Sequence, residues 1–228
     1  MIATGVNEQA RGSVLLDIPT HRYIHVETGR VIQSVSSILR KSHVREPPFT
    51  GAGTGQGGPR AAAMQHALQR GRDVHRLTRA MDETYDLTDA LDDLFDPADL
   101  SPANIDYVSA YDRFLHQSEY RPIAWEVVVW HEALDYAGRA DGVGWLGTKR
   151  IMIDRKTERT LHRAVWLQLT GYRLAWDWLH PTERIDQTYA LVLKANQTYD
   201  LKPNPLEQSA EPFWIAAIWL ARWHDMVL

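Results

Sequence analysis

The amino-acid sequence predicts an α/β protein, with strands and helices arranged around one principal core. Three observations carry that expectation. Between residues 123 and 156, three runs rich in β-branched and aromatic residues follow one another: WEVVVWHEAL, GRADGVGWLG and RIMIDRK. A strongly amphipathic stretch over about 161–179 is stopped by Pro181, and a second helical run covers about 210–226. The chain has 228 residues, 44% hydrophobic and 24% charged, which suits a sizeable core and is too apolar for a disordered chain.

Taken in order, SVLLDI and HRYIHVE read as short strands joined by a Pro19-Thr20 turn and closed at Thr28-Gly29, a sheet-edge hairpin. Ser34 has the character of an N-cap for a short helix, VSSILRK. Pro47, Pro48 and the run GAGTGQGG then form an irregular loop. It lacks the Gly-Lys-Ser/Thr ending of a P-loop and follows no strong apolar strand, so a nucleotide P-loop is not expected. From Arg60 to about Ala80 the pattern is helical, with Met64, Ala67, Leu68, Val74 and Leu77 as an interrupted apolar face. Gly71 weakens its middle by roughly 1 kcal/mol relative to alanine, which suggests that another group approaches the backbone there. The acidic stretch that follows and residues 102–118 read as further helices, split by Pro97 and Pro102.

The three strand runs are parted by turn signals at 136–138 and 147–148 and are expected to form an antiparallel meander. After the helix at 161–179, strands near 187–193 and 198–201 flank an Asn196-Gln197 turn. In the last helix Ile215, Trp219 and Trp223 are spaced by four, a stripe expected to pack in the core. The resulting division is an N-terminal hairpin, short helix and Gly-rich loop over 1–58, and a core over 59–228 with a helical insertion at about 81–118.

Charge and cysteine usage exclude several classes. With no cysteine, the chain has no disulfide, thiol nucleophile, cysteine-ligated zinc or iron-sulfur cluster. A metal would be held by oxygen and histidine, which favours magnesium, manganese or calcium. The longest nearly unbroken apolar run, 213–221, falls well short of the roughly 18–20 residues that span a bilayer, and the first twelve residues show no secretory pattern, so we expect a cytosolic protein without membrane contact. The net charge of -4 hides an asymmetry. Residues 81–106 hold nine acids and no Lys or Arg, whereas residues 21–80 carry ten Lys or Arg against three acids. The basic stretch suits a polyanionic partner, although clustered charge is also what an ordinary solvated face shows.

The chemistry centres on Asp141 in GRAD and Asp154 in IDRK, thirteen residues apart on neighbouring strands that a hairpin brings side by side. Two carboxylates held close repel unless a proton or cation sits between them, and a hard divalent cation is the natural solution. Lys156 lies two residues past Asp154, so strand alternation points both to one face. A metal with an adjacent ammonium suits phosphodiester hydrolysis, where the attacking water and the phosphorus centre both need positive charge. Taken alone, Asp-x-Lys is equally a surface ion pair on an edge strand. Downstream, Gln168 and Tyr172 share a helix face, and upstream His75 offers a neutral nitrogen, though a lone histidine is often structural.

This ordered set, GRDVH, WEVVV, GRADGV, IDRKT and QLTGY over roughly 67–202, resembles the RecB-like branch of the PD-(D/E)XK nuclease superfamily, which includes phage exonucleases, CRISPR-adaptation nucleases and the mitochondrial genome maintenance exonuclease. The N-terminal HRYIHVETGRVIQSVSSIL is similar to the leader of phage-type members. The resemblance implies a central mixed sheet of the restriction-endonuclease-like type flanked by helices, with a helical N-terminal elaboration; it makes 59–228 the nuclease core and 1–58 a segment expected to contact DNA. It also implies Mg²⁺ or Mn²⁺ held by His75, Asp141, Asp154 and the main-chain carbonyl of Arg155, with Lys156 as the catalytic lysine. Gln168 and Tyr172 would line the site and contact the DNA backbone or the lysine region; Ser34 and Ser36, and from the basic stretch Arg72 and Arg76, are further candidates for contacting DNA. Glu126 matches a recurring acidic position with a supporting or second-metal role. Ala140 replaces the proline of the superfamily's name and leaves Asp141 intact, while the missing cysteines exclude its iron-sulfur members.

The implied function is a metal-dependent DNA exonuclease in recombination, repair or phage DNA processing, with DNA and a recombination or single-strand annealing protein as partners. A structure-selective or restriction-like endonuclease uses the same chemistry. A DNA-binding module that lost catalysis would have no need of Asp141, Asp154 and Lys156 together.

Overall fold

The computed structural model describes residues 14–44, 59–84, 101–157, 160–207 and 209–227. The Gly-rich run 51–58 and most of the acidic segment, 85–100, lie outside the described residues. The chain is a mixed α/β protein: an eight-stranded mixed sheet with five helices among the described residues. Its elements are β1 (Val14–Asp17), β2 (Arg22–His25), β3 (Val31–Ser34), α1 (Val35–Lys41), α2 (Pro59–Glu83), α3 (Pro102–Gln117), β4 (Tyr120–His131), β5 (Tyr136–Leu146), β6 (Lys149–Lys156), α4 (Arg163–Leu179), β7 (Gln187–Leu193), β8 (Tyr199–Pro203) and α5 (Glu211–Val227). No described helix is long and apolar enough to cross a membrane.

The meander β4-β5-β6 is antiparallel, as expected, but β5 begins at Tyr136 rather than after it. The turn signal at 136–138 is therefore displaced upstream to 132–135, where Asp135 takes a positive φ of 49°. Gly138 serves a different need: a Cβ there would lie 2.4 Å from Cε1 of Tyr172, so the missing side chain lets α4 settle on the sheet. β4 pairs along β5 at every position but Asp141, while β3 and β6 share β5's other edge. β3 joins in parallel at Tyr136 and Ala137, and β6 from Gly142 onward. Between them, residues 138–141 have no strand partner on that side among the described residues. This opens a wedge, because β6 leaves β5 to run parallel with β7 as far as Lys156.

Helices cover both faces. Val35, Ile38 and Leu39 of α1, Leu169, Tyr172 and Trp176 of α4, and Trp214, Ala217, Ile218 and Ala221 of α5 bury one face together with Met152. Val74, Leu77 and Met81 of α2 and Val108, Tyr111 and Phe114 of α3 bury the other, against Ile151, Ile153, Leu191 and Leu193. The alternation of Ile151, Met152 and Ile153 between the two clusters is the two-residue period of a strand buried on both faces.

Three packing expectations are corrected. Met64 and Leu68 of α2 are exposed, and the buried face is Val74, Leu77, Thr78, Met81 and Asp82, a 3.6-residue stripe that begins only where α3 and the sheet lie against it. Gly71 receives no close approach; the nearest group to a Cβ there is Thr157 Oγ1 at 3.9 Å. In α5, Trp219 and Trp223 are 61% and 62% exposed rather than in the core. The core face is the neighbouring row of Trp214, Ala217, Ile218 and Ala221, whose alanines permit close packing and whose Trp214 ring occupies the space a side chain at Gly171 would need.

Candidate active site

The β5·β6 ladder stops at Gly142↔Ile153, so Asp141 and Asp154 face each other where the strands part. The Arg155 amide, now without a β5 carbonyl, donates instead to Asp141 Oδ2 at 2.8 Å. The alternation of β6 then sorts three consecutive side chains. Asp154 and Lys156 fall on the side of α4, with Lys156 Nζ 2.7 Å from Asp154 Oδ2, and Arg155 turns to the opposite face. A cleft of about 290 Å³ in the wedge is lined by Ser34, Ser36, His75, Asp141, Asp154, Lys156, Gln168 and Tyr172, all named as candidates from the sequence.

His75 reaches this cleft from α2. Its Nδ1 stands 3.6 Å from Asp141 Oδ2 and 3.9 Å from Glu126 Oε1, and its Nε2 lies 3.1 Å from the carbonyl of Arg155. His75, Glu126 and Asp141 offer ligand atoms that all lie within 4.8 Å of one another. Glu126 was placed from sequence only by resemblance; it sits on β4 with a positive φ of 48°, an uncommon conformation for a glutamate. Its other oxygen, Oε2, forms an ion pair with Arg139, 2.8 Å from Nε. Strain of this kind is maintained by the surroundings, and here it accompanies a carboxylate that points at the histidine.

The electrostatics follow from burial. The Asp154 side chain is almost wholly enclosed; burial pushes its pKa from the ordinary 3.8 to about 6, with Lys156 opposing the rise and Asp141 adding to it. Burial also works against ionised Asp141, but His75, Lys156 and Arg155 outweigh it and hold that carboxyl below its usual range. Burial by itself would lower the His75 imidazole, yet Asp141 and Glu126 raise it. Burial keeps the Tyr172 phenol far above its ordinary value, with Asp154 adding to the rise. Gln168 Nε2 donates to the Tyr172 hydroxyl at 2.9 Å, the contact that their four-residue spacing on α4 allows.

Arg155 carries a network invisible in the sequence. Its fully buried guanidinium pairs with Asp82, donates to Thr78 Oγ1 at 3.0 Å and to the carbonyl of Asp141 at 3.2 Å, and lies over the Tyr111 ring. Tyr111 in turn donates to Asp82. Asp82, counted from sequence with the acidic stretch, is thus an interior counter-ion that ties α2 and α3 to the strand carrying the site.

Sequence reasoning also missed Leu16, His21, Tyr23 and Arg139, which complete the cleft lining. Only Arg139 left a signal, lying two residues before Asp141 on the same strand. Arg72 and Arg76 flank His75 in sequence but are exposed and lie outside the cleft lining, with Arg72 donating to Gln69 at 2.7 Å. Other cations of the basic stretch are engaged locally, Arg30 with Asp135, Lys41 with Asp225 and Arg79 with Glu83. Ser34 caps α1, accepting from the Ser37 amide at 3.0 Å, with Ser36 Oγ 3.2 Å away.

No family model matches the chain, and no curated protein matches it. Among solved structures it is similar to one described as "Crystal structure of SSO0001", at 17% identity and a TM-score of 0.34, over 76% of this chain and 88% of that one.

Proposed function

We propose that the protein is a divalent-metal-dependent deoxyribonuclease that hydrolyses phosphodiester bonds, built on a sheet of the restriction-endonuclease-like type, as its resemblance to the RecB-like branch implies. The observation that carries this reading is the convergence, where β5 and β6 part, of Asp141 and Asp154 with the Lys156 ammonium 2.7 Å from the second. A surface ion pair would leave its aspartate in water; Asp154 is 1% exposed.

The donor set fits Mg²⁺ or Mn²⁺: the His75 imidazole lies together with the carboxylates of Glu126 and Asp141, Asp154 stands outside that group but faces Asp141 where the strands part, and the chain has no cysteine sulfur. His75, Asp141, Asp154 and the carbonyl of Arg155 would hold the ion, with Glu126 adjoining. When bound, it supplies Lewis acidity and makes a water more acidic. The chain's own groups do the rest. Lys156, oriented by Asp154, presents a positive charge to the phosphoryl oxygens as negative charge develops on them. Tyr172 keeps its proton and accepts from Gln168, so its hydroxyl is left to donate toward the substrate. Ser34, Ser36 and Arg139 offer further donors to a nucleic-acid backbone along the cleft.

Phage-type and stand-alone exonucleases carry the same ordered motifs, so we read the activity as exonucleolytic. End-labelled linear duplex, closed circular duplex and single strands, incubated with Mg²⁺, Mn²⁺ or excess chelator, test both parts of the reading. Linear substrates should be degraded only with metal. Equal cutting of closed circles would make the enzyme an endonuclease, and undiminished cutting in chelator, or no cutting of any substrate with metal, would overturn the proposal.

A further inference from the structure

Helix α5 is apolar on all sides through its middle: residues 213–221 read FWIAAIWLA. A helix of that kind calls for burial all round, yet among the described residues only one face is covered, the row of Trp214, Ala217, Ile218 and Ala221. The opposite face leaves Phe213, Trp219, Leu220, Trp223 and Met226 between 51% and 75% exposed, with exposed Ala216 among them. At 100° per residue these six positions fall within one arc of about 140°. None of the six is charged.

We propose that this stripe is the two-fold interface of a homodimer, with α5 packed antiparallel against α5 of a second copy. Two features select a second copy over another occupant. The first is area: the five large side chains present roughly 700 Å² of accessible surface per copy, so covering them buries about 1,400 Å², within the range of a stable protein-protein interface. The second is self-complementarity, the requirement of an isologous contact. An antiparallel pair centred between Trp219 and Leu220 sets Trp219 against Leu220, large Trp223 against small Ala216, and Phe213 against Met226, so each bulky residue meets a smaller or more flexible one. Antiparallel packing also opposes the two helix dipoles favourably. The inference is independent of the proposed nuclease chemistry.

Sedimentation velocity of the full chain at micromolar concentration should give twice 26.1 kDa. Changing Trp219→Glu together with Trp223→Glu should weaken dimerisation at least a hundredfold, because tryptophans at the centre of an interface dominate its affinity. Their exposure in the protomer predicts that the resulting monomer still folds and melts cooperatively, its midpoint lowered only by the loss of the stabilisation that association supplies. The cysteine-free chain allows a second test that keeps the wild-type aromatics: a single Leu220→Cys should form a disulfide-linked dimer under mild oxidation, whereas Val31→Cys, at an exposed strand position, should not. A monomeric wild type, including one whose stripe instead binds phosphatidylcholine vesicles, overturns the proposal. So does a dimer that survives the double glutamate change, or equal cross-linking at both cysteine positions.

Discussion

Replacing Asp154 by asparagine should make the metal-free protein more stable above neutral pH while abolishing cutting. Burial raises this carboxyl from 3.8 to about 6, so the folded protein keeps a proton that the unfolded chain has already released. The sign follows directly: with the folded pKa above the unfolded one, this group's contribution to stability falls as pH rises from about 4 to about 6 and stays low beyond. About two pKa units correspond to a deficit of about 3 kcal/mol at pH 8. Asparagine is isosteric and never ionises, so it recovers up to that amount, less whatever the lost Lys156 contact contributes. In a chain of this length each kcal/mol moves the midpoint by roughly 2–4 °C, which makes the gain measurable by calorimetry. The assay is a melt in chelator at pH 4 and pH 8, repeated with Mg²⁺. The Asp154→Asn variant should melt several degrees above wild type at pH 8, and the gap should close towards pH 4. Added Mg²⁺ should raise the wild-type midpoint and leave the variant unmoved, since only a state that binds the ion is stabilised by it. A variant no more stable than wild type at pH 8 in chelator would refute the burial argument.

Three further outcomes test the rest of the site. Lys156→Ala should lower single-turnover cleavage at saturating metal by roughly a hundredfold or more while leaving metal affinity, read by calorimetric titration, near wild type; cutting within a few-fold of wild type would remove the lysine from the mechanism. Asp82→Ala strands the Arg155 guanidinium in the interior and should cost about 3–5 kcal/mol by urea unfolding, far more than any exposed acid of the same helix. Gly138→Ala forces a methyl against the Tyr172 ring and should cost about 1–3 kcal/mol by the same measurement; an unchanged urea midpoint would show that α4 can move away freely.

Much of the fold follows from short-range pattern. The Ser34 cap and the helix after it stand where the N-cap preference places them, and Asn196-Gln197 turns the chain between β7 and β8, with Gln197 at a φ of 60°. The pairing of Asp154 with Lys156, and of Gln168 with Tyr172, rests on the two-residue and 3.6-residue periods alone, and each pair touches as those periods require. That Asp141 should meet Asp154 was likewise legible, because one hairpin joins their strands.

What tertiary structure alone decided are the properties that depend on partners distant in the chain. The counter-ion of Arg155 is Asp82, 73 residues away, and composition showed it only as one acid among nine. The same is true of Glu126, turned toward His75 by a positive φ, and of Leu16, His21 and Tyr23, which border the cleft only because β3 joins β5 in parallel across a hundred residues of chain. For α5 the four-residue spacing marked a face that we expected in the core, and Trp219 and Trp223 on it are exposed instead. A helix apolar on all sides has no polar face to orient it, so the direction was set by the fit of Trp214 over Gly171, a contact no local pattern encodes. Periodicity depends on neighbours within a turn or a strand, whereas burial, ion pairing and the choice between two apolar faces depend on what the rest of the chain brings alongside.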